Sequence, residues 1–142
     1  MTKYFLKAMM KALFFMLVAF NVSAFAADEQ KAELYFIGIK DGDTVKAPFT
    51  IAFGLKGFGV APAGVERNNT GHHHLLINTD LPADLALPIP MDTNHRHFGG
   101  GQTEVKLHLE KGEHTLQLLL ADAFHKPHKN PIHSKKIRVL VK

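Results

Sequence analysis

Beyond its first 26 residues, the sequence predicts an all-β fold, a small immunoglobulin-like antiparallel β-sandwich of six or seven strands. Apolar and polar residues alternate with a period of two, as they do in half-buried strands. Gly, Pro and Asp interrupt the alternating segments at short intervals, and no segment has the 3.6-residue period of an amphipathic helix. Several short strands of this kind favour a sandwich, with a compact Greek-key barrel as the alternative.

The first two strands are predicted from clear apolar runs. Glu33–Ile39 (ELYFIGI) ends at the turn-rich segment 40–43, and Val45–Leu55 follows. Pro48 lies within this second run and indicates a strand edge or a bulge, because proline cannot donate to a sheet ladder. Lys56–Gly71 is rich in Gly, Pro and Asn and is predicted to be a loop.

The later strands surround a predicted central one. His73–Asn78 (HHLLIN) is almost continuously apolar after its histidines, which is typical of a buried strand, and a Pro-punctuated connection, Leu81–Met91, follows it. The remaining segments are two strands, a His- and Pro-rich loop and a last strand: Thr103–Leu109, His114–Ala121, Asp122–Pro131 and Lys135–Val141.

The N-terminal 26 residues are predicted to be a cleavable signal peptide. Three lysines give a positive start: Lys3, Lys7 and Lys11. The apolar run 12–20 is too short to span a bilayer as a helix, and small residues at positions 24 and 26 predict cleavage after Ala26. An uncleaved anchor is the alternative. Residues 27–142 then form one His-rich domain with no transmembrane segment, in the periplasm or secreted.

Composition excludes several function classes. The predicted signal contains three of the 17 Lys and Arg residues and none of the 13 acidic residues, so residues 27–142 carry a net charge of +1. This balance and the absence of a basic stripe argue against nucleic-acid binding. The chain has no cysteine, which excludes disulfides and thiolate chemistry. Ser134 is the single serine of this domain and lacks a G-x-S-x-G context, which argues against a serine hydrolase.

Histidine is the residue in excess, and seven of the ten histidines fall into three close groups. These groups are His72-His73-His74, His95-Arg96-His97 and His125-Lys126-Pro127-His128. Residues i and i+2 of a strand point to the same face about 7 Å apart, so His72 and His74 can reach one ion. His73 then faces the opposite side, where we expect it to be buried.

Imidazole ligands without sulfur suit divalent Cu²⁺, Zn²⁺ or Ni²⁺. The candidate metal ligands are His72, His74, His95, His97, His125 and His128. Glu104 and Asp122 are candidate carboxylate ligands or acceptors for an imidazole N–H, and Gln102 is a candidate for orienting a ligand or a water molecule. Ordinary hydrogen-bonding roles remain the alternative for these histidines, because the sequence does not show that the groups meet. The run Gly99–Gly101 predicts a turn with positive φ or a close backbone approach.

Several segments together resemble a bacterial family of exported domains of unknown function, some members of which are labelled rod shape-determining proteins. The most specific of these segments are GHHHLLI and HFGGGQTE, and the similar segments cover nearly all of residues 27–142 in order. The resemblance implies one secreted β-domain and no established activity. A shape-determining role implies a polytopic membrane protein, which this chain is not expected to be, because no apolar stretch after the predicted cleavage site is long enough to span a membrane. The chain departs from the family at 129–132, where we expect two prolines.

Three functions are compatible with these residues. The first is an exported module that binds Cu²⁺ or Zn²⁺ for buffering or delivery, without chemical turnover. The second is a non-catalytic cell-envelope module whose His-rich loop end binds a protein, a peptide or an anionic ligand. The third is a hydrolytic or redox metalloenzyme with a His-bound metal and an open coordination position. Its H-x-H pairs on a β-sandwich resemble those of copper-zinc superoxide dismutase, but the cysteine pair of that family is absent and its motifs do not align.

Overall fold

The computed structural model describes residues 31–142, which form nine strands and no helix. The predicted signal peptide lies outside these residues. The strands are β1 (Glu33–Ile37), β2 (Asp43–Val45), β3 (Phe49–Lys56), β4 (Gly59–Val60), β5 (Thr70–Ile77), β6 (His95–His97), β7 (Glu104–Leu107), β8 (Gly112–Ala121) and β9 (Ile137–Val141). The prediction of an all-β fold is confirmed. Nothing in this part of the chain forms a helix long and apolar enough to cross a membrane.

The smaller sheet has three antiparallel strands in the order β1-β3-β7. The central strand β3 pairs with β1 through Phe53 opposite Phe36, and with β7 through Ile51 opposite Val105. Ile51 and Phe53 are buried because the alternation of β3 directs both toward the second sheet.

The larger sheet has six strands, in the order β2-β9-β8-β5-β4, with β6 also paired to β5. One edge of β5 is paired with β8 from His72 to Ile77, so β4 and β6 share the other edge. The pairs β2–β9 and β4–β5 are parallel, which departs from the predicted antiparallel arrangement. The strand count exceeds the predicted six or seven because β2, β4 and β6 are only two or three residues long.

The main hydrophobic core lies between the two sheets. Leu75 and Ile77 of β5 and Leu118 of β8 point into it, together with Phe53 and Leu107 from the smaller sheet. A buried leucine or phenylalanine side chain contributes about 1.5–3 kcal/mol relative to an exposed one. This core fixes which face of β5 points inward, so the orientation of its histidines is determined by its leucines.

A second, smaller core covers the outer face of the six-stranded sheet. Leu76 and Leu119 point outward from β5 and β8 and pack with Ile89, which lies in the connection between β5 and β6. The predicted irregular connection therefore acts as a cover for the sheet. Because of this cover, β5 is buried on both faces, and only Thr70 at its start is partly exposed.

Candidate functional site

Strand β5 directs two histidines to its outer face. His72 and His74 are two residues apart and share the side of the sheet that carries Leu76. Both side chains are fully buried, and their Nε2 atoms lie 3.1 Å apart. His73 points the other way, into the main core, where its ring lies 5.2 Å from that of Phe53. The expected orientation of His72, His73 and His74 is therefore found.

Strand β6 adds the third imidazole. His97 is the register partner of His74 in the antiparallel pair of β5 and β6. The backbone N–H of Phe98 donates to the carbonyl of His73, so the adjacent pair His74–His97 is one without backbone hydrogen bonds between its members. Side chains approach most closely at such pairs, and the two ring centroids are 5.0 Å apart.

The loop after β8 supplies the fourth imidazole. Ala121, the last residue of β8, is the register partner of His72, so the chain leaves the sheet beside that histidine. The Asp122 carboxylate Oδ1 then accepts hydrogen bonds from the backbone N–H groups of Phe124 and Lys126. This turn holds His125 at a positive φ of 64° and directs its ring to the cluster.

These four histidines form an imidazole cluster, defined here as His72, His74, His97 and His125. Neighbouring ring centroids are 4.7–5.1 Å apart, and only the pair His74–His125 is wider, at 6.2 Å. His97 Nε2 and His125 Nε2 lie 3.1 Å apart, the same separation as that between His72 and His74.

The spacing of the nitrogen atoms fits a single metal ion. One nitrogen from each of His72, His74 and His97 lies within 4.8 Å of the other two. Two nitrogens bound to one tetrahedral Zn²⁺ at 2.0–2.1 Å are about 3.3 Å apart, close to the two short separations in the cluster. The arrangement therefore fits first-row divalent metals that prefer imidazole.

Burial keeps the inner histidines in the form that binds metal. Burial first, and charge repulsion from the neighbouring imidazoles second, lower the pKa of His72 to about 4 and that of His74 to about 3. Burial also lowers the pKa of His97. Since a metal binds the neutral imidazole, these histidines are ready to coordinate at neutral pH without first losing a proton.

The inner pair also has unsatisfied polar atoms. His72 Nδ1 and His74 Nδ1 are buried and find no hydrogen-bond partner among the described residues. An isolated buried polar atom is costly, by about 1–3 kcal/mol. Both ring nitrogens of His73 and the Nε2 atom of His128 are buried in the same way, so this feature is not confined to the cluster.

Two predicted ligands lie outside the cluster. His95 Nδ1 is 2.8 Å from the Asp92 carboxylate Oδ1, in the turn that leads into β6. His128 contacts the opposite face of β5, since its Nε2 would lie 3.0 Å from a Cβ at Gly71, and its ring packs against Phe58. The sequence pairs His95 with His97 and His128 with His125, and from each pair only the second histidine joins the cluster.

The three residues predicted to support the site, Asp122, Gln102 and Glu104, lie in three different places. Asp122 braces the backbone of the His125 turn, as described above. Gln102 Oε1 accepts a hydrogen bond from the backbone N–H of Gly100, and Glu104 lies exposed on β7 in the three-stranded sheet. Asp122 therefore supports the cluster through the main chain, with no hydrogen bond from an imidazole.

Gly99 packs against His97, although it cannot itself be a metal ligand. A Cβ at this position would lie 2.5 Å from His97 Nε2, so the imidazole packs directly over the glycine backbone. Gly101 in the same run has a φ of 81°, which favours glycine. The Gly99–Gly101 run thus has both features predicted for it, and its close approach serves the cluster.

The fold and the cluster define an all-β protein with a group of histidines that can hold a metal ion. The chain belongs to the DUF4399 family, a domain of unknown function whose family model matches residues 51–142. The match begins within β3 and includes all four histidines of the cluster. No curated protein and no solved structure matches the chain.

Proposed function

We propose that this protein is an exported domain that binds one divalent transition-metal ion, Cu²⁺ or Zn²⁺, and buffers or delivers it. His72, His74 and His97 are the primary ligands, and His125 completes the set. The observation that carries the proposal is the convergence of these imidazoles from two strands and a loop onto one point. Export rests on the sequence of residues 1–26, which has the three regions of a signal peptide.

The number of ligands favours binding over catalysis. Catalytic zinc sites have three protein ligands and leave the fourth position to water or substrate, whereas closed sites have four protein ligands. Here a fourth imidazole lies beside the triad, since His125 Nε2 is 3.1 Å from His97 Nε2. A tetrahedral ion held by all four would have no open position for a substrate.

The donor atoms favour copper(II) and zinc among the available metals. All four side chains are imidazoles, and the described residues contain neither a cysteine nor a methionine within the cluster. Soft Cu⁺ prefers thiolate and thioether ligands. Cu²⁺ binds nitrogen ligands most tightly in the first-row series, so we expect it to bind more tightly than Zn²⁺ or Ni²⁺.

Calorimetric titration tests the proposal directly. The untagged protein, expressed from the full chain and treated with a chelator, is titrated with Cu²⁺, Zn²⁺ and Ni²⁺. The test variant is His72→Ala/His74→Ala, and the matched control is His95→Ala/His128→Ala, which removes two histidines outside the cluster. We expect one tight site in the wild type and the control and its loss in the test variant. Weak binding at several sites in all three proteins would refute the proposal.

We propose further that the scaffold is an immunoglobulin-like sandwich. In that fold, sequential strands A, B and E lie in one sheet and C, F and G in the other. The order β1-β3-β7 corresponds to A-B-E, and β9-β8-β5 corresponds to G-F-C. An experimental structure with a different strand order in either sheet would contradict this assignment.

The second candidate function is a cell-envelope module that binds a protein or peptide at the same end. Phe124, next to His125, is 58% exposed, and Val65 is 46% exposed. Both side chains line a cavity of about 600 Å³ that also contains Arg67 and His128. Aromatic residues such as Phe are enriched in protein interfaces relative to the rest of the surface. Pull-down from envelope extracts with wild-type protein and Phe124→Ala distinguishes this function. A partner that the wild type retains and Phe124→Ala loses would support it. The metal proposal instead predicts only that the two proteins bind metal with the same affinity.

A further inference from the structure

The four histidines of the cluster differ in how firmly the fold holds them. His72 and His74 are fully buried on β5, which is hydrogen-bonded to neighbours along both edges. His97 lies on the three-residue strand β6, and His125 lies in a loop, and both are partly exposed. Short elements and loops open more readily than a central strand. The inner pair is therefore fixed, and the outer pair faces solvent.

His125 is the least integrated of the four. The three nitrogens that all lie within 4.8 Å of one another belong to His72, His74 and His97. The ring of His125 is 6.2 Å from that of His74, the widest separation in the cluster. Its turn is held by the Asp122 carboxylate and by backbone hydrogen bonds, including one from the N–H of Ile89 to the His125 carbonyl, whereas the other three histidines lie on strands of a sheet.

We infer that His125 is the exchangeable fourth ligand and that the metal passes to an acceptor on the His125 side of the cluster. This inference rests on the proposed function. A nitrogen donor of the acceptor forms a bond to the metal as the bond from the metal to His125 breaks. The metal keeps its charge, and His125 leaves as a neutral imidazole, so no electron or proton transfer is needed. The three remaining histidines hold the ion until further donors of the acceptor displace them.

The geometry explains why exchange at His125 is easier than at the other positions. His72 and His74 are fully buried, so an incoming donor cannot reach either of them without displacing neighbouring residues. His125 is partly exposed and lies in a loop, so an incoming donor can reach it from solvent without passing a strand. Three ligands plus one exchangeable position is also the arrangement by which metal centres admit an incoming ligand.

Transfer kinetics test the inference. The untagged protein from the full chain is loaded with one equivalent of Cu²⁺ and mixed with excess free histidine, and the visible absorption of copper is followed. The variants are His125→Ala and, as a matched control from the same loop, His128→Ala. His72→Ala tests the inner position.

We expect the wild-type transfer rate to rise with the concentration of free histidine. His125→Ala should still take up one Cu²⁺ and should release it about 10-fold faster or more, because the ion has lost one of its four bonds and a tenfold change corresponds to only about 1.4 kcal/mol. His128→Ala should behave as the wild type, and His72→Ala should fail to retain the ion. A loaded His125→Ala that transfers at the wild-type rate or more slowly would overturn the inference alone. A wild type that takes up no Cu²⁺ in the loading step would instead overturn the proposed function.

Discussion

Replacing Gly99 with alanine should weaken metal binding although it removes no ligand. The new Cβ would lie 2.5 Å from His97 Nε2, whereas non-bonded heavy atoms are best separated by about 3.5 Å. The imidazole must therefore retreat by about 1 Å. Distances in metal sites are held to within about 0.2 Å, so a displacement of this size removes His97 from coordination.

The expected size of the effect follows from that displacement. Loss of ligand positioning typically lowers metal affinity about 10–100-fold, which corresponds to about 1.4–2.8 kcal/mol of binding free energy. The fold itself should be little affected. Gly99 is not among the glycines with positive φ, so its backbone accepts alanine, and the partly exposed His97 ring can rotate toward solvent. Ala63, whose Cβ would be 3.3 Å away, needs to move by only a few tenths of an ångström.

Gly100→Ala is the matched control. Its Cβ would meet the exposed Gln102 side chain, with the nearest atom at 2.9 Å, and that flexible side chain can move away without disturbing the cluster. Calorimetric Cu²⁺ titration and urea unfolding of both variants measure affinity and stability separately. If Gly99→Ala binds Cu²⁺ as tightly as Gly100→Ala, or if both lose affinity equally, His97 is not positioned by this contact as a ligand.

Three further predictions concern the core, the loop and the response to pH. Leu118→Ala should lower the free energy of unfolding, measured by urea titration, by about 3 kcal/mol, because loss of this fully buried side chain leaves a cavity between the sheets. Leu140→Ala, at an exposed position of β9, should lower it by under about 1 kcal/mol in the same titration. A similar loss in both variants would contradict the assigned core. Asp122→Ala should lower Cu²⁺ affinity about 10-fold by releasing the two backbone N–H groups of the His125 turn. Asp122→Asn keeps an acceptor oxygen and should restore most of the affinity. Equal affinities of the wild type and both variants in calorimetry would show that these hydrogen bonds do not position His125 for binding. Burial holds the pKa of His72 near 4 and that of His74 near 3, whereas the ordinary pKa of histidine is about 6.5. Between these folded and unfolded pKa values, the unfolded chain binds more protons than the folded one. The metal-free protein should therefore lose stability as the pH falls from ~6.5 toward ~4, and chelator-treated samples unfolded in urea at several pH values should show this decline; a stability that is constant or rises over that range would contradict it.

The alternation of apolar and polar residues was sufficient to predict the class of fold. It located six of the nine strands, since each long strand buries one face or both faces. The strands β2, β4 and β6 could not be predicted, because segments of two or three residues have no measurable period. Their pairing depends on neighbours that are distant in sequence, such as the parallel contact of β2 with β9.

The sequence by itself determined the inner half of the candidate site. His72 and His74 must share a face of any strand that contains both, and Leu75 and Ile77 direct the opposite face into the core. Spacing alone could not choose between His95 and His97, or between His125 and His128. Both choices were made by tertiary structure: the register of β6 sets His97 opposite His74, and the turn after β8 brings His125 above His72. The physical reason is that strand periodicity is a local property, whereas register and loop path depend on contacts between residues far apart in the chain.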